Sequence, residues 1–309
     1  MMIILTLILT VAAHAQTPDV VAHKGLHIPF RAGAQPDPRG CVAQMIDDPA
    51  NYPTATRYNL ENTLPAISTA FQAGATRVSI NLQVTSDGHV VLFHDLMLDC
   101  RTNGSGLVSD MTLAGLQALN VGWNYSANNG KTFPWRDPAL PAATVTMPSL
   151  EDAFDANPGK SFWIVARPNS ADQAKAIFSA LAKYPDIVKV SALFASDWVN
   201  QIATEELPQL QIARVDDSRS EICMNGFVPG QVLPTACANL DLMAPYSFVS
   251  ATAVDEFATK LAAMNSKLYV GSEGGGFVDD TTAAGFIKAH ASAIAGFMTD
   301  RIDLVGPLF

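Results

Sequence analysis

Arg77-Val78-Ser79-Ile80-Asn81-Leu82-Gln83-Val84-Thr85-Ser86-Asp87-Gly88-His89-Val90-Val91-Leu92-Phe93-His94-Asp95 is the stretch that decides the fold. Arg77 to Val84 and Val90 to Phe93 are short, apolar, β-branched runs, the composition of strands. Between them Thr85-Ser86-Asp87-Gly88 is far too short to carry a parallel crossover, and Asp-Gly is a hairpin turn signal. Val90 to Phe93 is therefore expected antiparallel to Arg77 to Val84. Within the first strand Ser79 and Asn81 are two apart and share a face.

Outward from this hairpin, further strand-like runs fall at Val20 to Ala22, Phe162 to Ala166, Val188 to Phe194, Gln211 to Val215, Leu240 to Ala244, Lys267 to Val270 and Ala293 to Met298. Ala-rich stretches with helical periodicity lie between most of them, among them Thr63 to Ala73, Ala171 to Lys183, Ala251 to Met264 and Thr281 to His290. This alternation belongs to an α/β protein with a parallel sheet. With the hairpin counted as one unit there are eight βα units, which predicts a single (β/α)8 TIM barrel with a hairpin at its second strand. A doubly wound open sheet is the alternative, but no GxGxxG follows the first strand. No Gly/Ser-rich linker marks a second domain.

The chain has 309 residues, 49% hydrophobic and 16% charged, with a formal net charge of -10. That is too apolar for disorder. Acidic balance without a basic run excludes a nucleic-acid partner, because phosphate-backbone binding needs clustered Lys and Arg. Met1 to Ala15 reads as a signal peptide: an apolar run, then Ala13-His14-Ala15, a small-x-small cleavage pattern. The barrel is then expected over residues 16–309, in a periplasm or outside the cell, with no transmembrane segment. Cys41, Cys100, Cys223 and Cys237 lack the close spacing of a metal site. In an exported chain their even number favours two disulfides, Cys223 with Cys237 and Cys41 with Cys100, over free thiols.

Chemistry in such a barrel gathers where strands end. The first strand runs into His23-Lys24-Gly25; Glu61-Asn62-Thr63 opens the next helix; the hairpin ends in His94-Asp95; and Gly296-Phe297-Met298-Thr299-Asp300 closes the series. With Thr85-Ser86-Asp87-Gly88, these segments resemble the glycerophosphodiester phosphodiesterase family of phospholipase-C-like TIM barrels. The family carries His-Arg-Gly, Glu-Asn-Thr, Glu-x-Asp, Thr-x-Asp-Gly, His-Asp, Ile-Glu-Ile-Lys and Ile-Thr-Asp in that order, so the resemblance spans nearly the whole chain after Ala15. It implies that His23 and His94 are the general acid-base pair acting on a phosphodiester with a neighbouring hydroxyl. Imidazole suits both roles near neutral pH.

The departures fall at the metal. The family's Glu-x-Asp aligns with Ser79 and Asn81, and Ile-Glu-Ile-Lys aligns with Ile164-Val165-Ala166-Arg167. A hard divalent cation needs oxygen ligands, preferably anionic, and Val165 offers none. The expectation is no cofactor, with a weak Mg²⁺ or Ca²⁺ site from Glu61, Asn81 and Asp95 as the alternative. Lys24, Arg167 and Arg101 are the cations available to take the metal's place at a phosphoryl group. Lys24 and Arg167 read equally as counter-ions of Glu61 and Asp95, and Arg101 as a structural residue of its loop. Glu273, beside Gly274-Gly275-Gly276, is a further substrate-binding candidate.

Two long insertions, Leu26 to Asn59 and Trp123 to Met147, are expected on the catalytic face. The first carries Arg31, Arg39, Tyr52 and Arg57. The second carries Trp123, Tyr125, Phe133 and Trp135, either stacked on a ligand or forming a small core of their own. The expected activity is phosphodiester cleavage of a glycerophosphodiester or related lipid headgroup. A carbohydrate-active enzyme using Glu61, Asp95 or Glu273 and a ligand-binding barrel without turnover are the alternatives.

Overall fold

The computed structural model describes residues 17–31, 40–185, 192–194, 196–214, 217–271 and 277–309. The expected signal segment at 1–15, Arg39, Val188 to Val190, Val215 and Glu273 lie outside them.

Among the described residues nine strands form one sheet: β1 (Asp19–Ala22), β2 (Arg77–Val84), β3 (Val90–Leu92), β4 (Ser161–Ala166), β5 (Ala192–Phe194), β6 (Gln211–Ile212), β7 (Asp241–Ala244), β8 (Lys267–Val270) and β9 (Gly296–Thr299). Eight lie side by side in the order β6-β5-β4-β2-β1-β9-β8-β7, each pair parallel. The edges meet where Asp241 N donates to Arg214 O at 3.0 Å. The fold is a TIM barrel. β3 stands off the ring, antiparallel to β2 with Leu82 opposite Leu92 and Val84 opposite Val90. Thr85 and Asp87 build the turn through Thr85 Oγ1 donating to Asp87 Oδ1 at 2.6 Å, and Gly88 takes the positive φ of 82° that it requires.

Period-two alternation sorts the side chains. Val78, Ile80 and Leu82 of β2 pack outward against helices such as Leu64–Gln72 and Ala171–Leu181 in the main core. Ser79, Asn81 and Gln83 therefore face the barrel interior, where Val21, Trp163, Tyr269, Met243 and Met298 gather. β3 divides two cores: Val90 and Leu92 belong to the main one, Val91 and Phe93 to a second. That second core is built from the two insertions, with Ile28, Ile46, Tyr125, Trp135 and Met147. Of the four aromatics in the later insertion, Tyr125 and Trp135 are buried, while Trp123 and Phe133 are half-buried with Arg136 over both rings. Tyr125 and Trp135 thus form a loop core rather than a ligand platform.

The helix expected over Ala251 to Met264 spans Val254–Ala263, starting where Asp255 and Glu256 complement its N-terminal dipole, and a separate short helix, Tyr246–Ser250, precedes it. Helices Asp197–Glu206 and Asp217–Asn225 complete the alternation around β5 and β6. Disulfides join Cys41 to Cys100 and Cys223 to Cys237.

Candidate functional site

The site grows from the ends of β1, β2, β3, β4 and β9. After β1, His23 N donates to Thr299 O at 2.9 Å, and the chain then turns through Lys24 and Gly25 at positive φ, 60° and 96°. A Cβ on Gly25 would lie 2.7 Å from the Ala66 carbonyl carbon, so only glycine lets this turn lie against the following helix. The turn projects the His23 ring against Phe277, centroids 4.7 Å apart. His23 Nδ1 donates to Asp300 Oδ1 at 2.8 Å, at the end of β9. Asp300 is itself fixed, its N–H donating to Asp279 Oδ1 at 2.8 Å. Burial, reinforced by Lys24, pushes His23 below the usual imidazole range despite Asp300. Asp300 shows the converse: burial would raise its carboxyl, but His23 and His27 hold it well below the carboxylate range.

The second histidine is held the same way. His94 Nδ1 donates to Asp95 Oδ1 at 2.7 Å, and Arg167 Nη2, following β4, donates to His94 Nε2 at 3.2 Å. These partners assign the neutral tautomer with its lone pair on Nε2. Arg167 Nε is buried without a hydrogen-bond partner among the described residues. Burial would raise Asp95, but the His94 hydrogen bond and the Arg101 guanidinium hold it at about 2.

Between the histidines runs a charged chain. Arg101 Nε and Nη2 donate to Asp95, while Nη1 donates to Glu61 Oε1 at 2.7 Å and Tyr125 Oη at 2.5 Å. Lys24 Nζ lies 3.5 Å from Glu61 Oε2. Burial alone would raise Glu61; Arg101 and then Lys24 hold it well below its ordinary value. Glu61 therefore stands within electrostatic reach of both halves of the site.

Lys24, Glu61, Arg101, Asp95, His94 and Arg167 are thus joined by direct contacts, while His23, next to Lys24 in the chain, is held separately by Asp300. Asn81 lies one step behind, its amide oxygen accepting from Asn62 Nδ2 at 3.2 Å. Ser79 Oγ accepts from Lys24 N at 2.9 Å. Glu273 falls outside the described residues. Arg101, read as mainly structural, is the hub joining two of the candidate carboxylates. Two further residues escaped the sequence reading. His27, 5% exposed, donates through Nδ1 to Ile28 O and places Nε2 3.5 Å from Asp300 Oδ1. Asp300 was visible only as the end of a fold motif. Its signal was a carboxylate directly after the strand that pairs with β1.

The donor set does not suit a hard divalent cation at the family's position. Ser79 and Asn81 are neutral and already hydrogen-bonded, Val165 has no donor, and Lys24, Arg101 and Arg167 supply positive charge around them. A cavity of about 420 Å³ opens beside His94 and Arg167. A larger one, about 610 Å³, lies at the opposite end of the barrel among strand-start residues such as Asp19, Arg77 and Lys267, and holds none of the candidate residues.

The fold and site together define the class: a TIM barrel with two carboxylate-held histidines at its strand ends. Residues 48–216, more than half of the chain, match the profile of the glycerophosphoryl diester phosphodiesterase family. The chain belongs to that family. It is 38% identical over 116 residues to an uncharacterized protein of Mycobacterium tuberculosis, covering 37% of each chain. It is 33% identical over 104 residues to a glycerophosphodiester phosphodiesterase of Caldanaerobacter subterraneus, covering 34% of this chain and 37% of that one. The matches span little more than a third of these curated relatives. The crystal structure of a glycerophosphodiester phosphodiesterase from Agrobacterium tumefaciens superposes with a TM-score of 0.61 at 20% identity, over 94% of this chain and 98% of that one.

Proposed function

We propose that the protein is an exported phosphodiesterase that cleaves a glycerophosphodiester or related phospholipid headgroup by His23 and His94 acid-base catalysis, without a divalent metal. The carrying observation is that each histidine is held at Nδ1 by its own carboxylate, Asp300 at 2.8 Å and Asp95 at 2.7 Å, which fixes ring and tautomer. One imidazole takes the proton of the substrate hydroxyl next to the phosphate as that oxygen attacks phosphorus. The bond to the headgroup alcohol breaks, and the other imidazole protonates the departing oxygen. Water then opens the cyclic phosphate. Arg167, with a donor to spare, and Lys24 stabilise charge on the phosphoryl oxygens.

The metal-free reading is supported by the misfit at Ser79, Asn81 and Val165. The weak Mg²⁺ or Ca²⁺ site from Glu61, Asn81 and Asp95 is disfavoured, because Arg101 already binds both carboxylates. The same grip counts against a carbohydrate-active enzyme built on Glu61 or Asp95. A glycosidase acid needs a raised pKa, and both carboxyls are depressed. Export is supported by Met1 to Ala15 and two disulfides. Among the described residues no helix is long and apolar enough to cross a membrane.

Turnover of glycerophosphocholine and of a glycoside panel, with and without EDTA, tests this. The expected result is EDTA-resistant phosphodiester cleavage that falls about 10²–10⁴-fold in His23→Ala and in His94→Ala. Cleavage that EDTA abolishes overturns the metal-free reading, and cleavage that survives both substitutions overturns the histidine pair.

A further inference from the structure

The His23–Asp300 pair has a third member that acid-base catalysis does not use. His27, 5% exposed, donates through Nδ1 to Ile28 O at 3.0 Å. That bond leaves the lone pair of the neutral ring on Nε2. This Nε2 is buried, makes no hydrogen bond among the described residues, and stands 3.5 Å from Asp300 Oδ1. A lone pair aimed at a carboxylate oxygen is repulsive unless positive charge lies between them, and a proton or a metal ion can supply it. Two ligands of a tetrahedral Zn²⁺, each about 2.1 Å from the ion, stand about 3.4 Å apart. His23 Nδ1 reaches the same Asp300 Oδ1 at 2.8 Å, and one donor atom from each of the three residues lies within 4.8 Å of the other two.

We propose that His23 Nδ1, His27 Nε2 and the Asp300 carboxylate hold one Zn²⁺, with water as fourth ligand, and that the ion switches catalysis off. Two imidazoles and one carboxylate suit a borderline cation, where Mg²⁺ and Ca²⁺ ask for oxygen. The Ile28 carbonyl on the far nitrogen of His27 is the kind of partner that orients a metal-ligating imidazole. The His23 and Asp300 side chains are 13% and 21% exposed, which lets the ion and its water reach them from solvent. Lys24, next to His23 in the chain, is turned to Glu61. Binding sends the His23 Nδ1 proton to solvent and puts Zn²⁺ in its place beside Asp300. The metal-bound ring then holds its Nε2 proton too tightly to act as acid and has no lone pair left to act as base. His23 drops out of proton transfer, while His94 stays on Asp95. The site stands on geometry alone; its effect on turnover rests on the phosphodiesterase reading.

The test is Zn²⁺ titration calorimetry on EDTA-stripped protein, with Mg²⁺ and Ca²⁺ as controls. Wild type is expected to bind one Zn²⁺, and His27→Gln and, separately, Asp300→Asn to weaken it by at least about a hundredfold. His94→Ala is expected to bind as wild type does, which separates this site from His94 and Asp95. Co²⁺ reports the coordination directly: the intense visible absorption of a four-coordinate ion is expected in wild type and not in His27→Gln. No Zn²⁺ binding in wild type, or equal binding in His27→Gln and Asp300→Asn, overturns the site. Glycerophosphocholine turnover then reads the switch. Zn²⁺ is expected to inhibit wild type, EDTA to reverse the inhibition, and His27→Gln to need at least about a hundredfold more Zn²⁺. Binding without inhibition overturns the switch and leaves the site standing. If no diester is turned over, the phosphodiesterase reading falls and calorimetry still decides the site.

Discussion

Arg101 grips Asp95 with two prongs, Nε to Oδ2 at 2.6 Å and Nη2 to Oδ1 at 3.0 Å, and the same Oδ1 accepts the His94 Nδ1 proton at 2.7 Å. The guanidinium never reaches the cavity as a free charge. It orients the carboxylate that orients the imidazole, and its remaining nitrogen ties this pair to Glu61. A planar fork fits this geometry and a point charge does not.

Arg101→Lys is therefore expected to retain the fold but lower kcat by ten- to a hundredfold, with KM within threefold, since a misplaced base costs turnover rather than binding. Arg101→Ala leaves the half-buried Asp95 without its cation and the buried Glu61 with Lys24 alone, and is expected to cost about 3–5 kcal/mol of stability. Steady-state kinetics and urea unfolding check both. Unchanged kcat in Arg101→Lys overturns the positioning role.

His23 faces Lys24, His27 and Asp300, and only Asp300 raises its pKa. Removing that charge in Asp300→Asn leaves burial and Lys24 unopposed. The limb of the kcat/KM profile that reports His23 is then expected to move to lower pH, with at least a tenfold loss at the optimum. A profile that keeps its shape, or shifts to higher pH, shows that Asp300 does not set the His23 proton.

Much of this site was legible because its parts are local. Asp87-Gly88 marks the hairpin, His23-Lys24-Gly25 and His94-Asp95 mark two strand ends, and period two puts Ser79 and Asn81 on one face. The Asp300–His23 pair was not legible, because its partners are 277 residues apart and only ring closure sets β9 beside β1. Arg101 reaches Glu61 across 40 residues from the loop that follows the hairpin, whose path no periodicity specifies. The aromatics of the later insertion failed for a related reason. Composition offers Trp123 and Trp135 equally, and only packing turns Trp135 into the second core and leaves Trp123 beside Arg136.

The two disulfides close loops of different length, 59 residues for Cys41–Cys100 and 14 for Cys223–Cys237. Chain entropy then assigns about 4 kcal/mol to the first and about 3 kcal/mol to the second. Cys41→Ser with Cys100→Ser is expected to lower the unfolding free energy more than the Cys223, Cys237 pair of substitutions. Because Cys41 and Cys100 also line the cavity beside His94, the first variant alone is expected to change kcat/KM. Guanidinium unfolding and kinetics on both variants decide it, and the reverse order of stability or of activity loss counts against the assignment.

Arg167 carries the heaviest demand in the metal-free reading. It stands just past the end of β4, two positions after Val165, donates through Nη2 to His94 Nε2 at 3.2 Å and keeps Nε without a partner among the described residues. A phosphoryl oxygen is a stronger acceptor for a guanidinium than a neutral imidazole, so under the proposed mechanism substrate is expected to draw Arg167 onto the phosphate and release the His94 lone pair for proton transfer. Arg167→Ala removes charge stabilisation from the transition state and is expected to lower kcat/KM about 10²–10³-fold. Arg167→Lys restores the charge without the fork and is expected to recover only part of that loss. Added Mg²⁺ or Ca²⁺ is expected to rescue neither variant, because Ser79, Asn81 and Val165 give a cation no carboxylate to bind. Kinetics in EDTA and in millimolar cation make the comparison. Recovery of Arg167→Ala by either ion would show that a metal site persists, and full activity in that variant without metal would remove Arg167 from the phosphate.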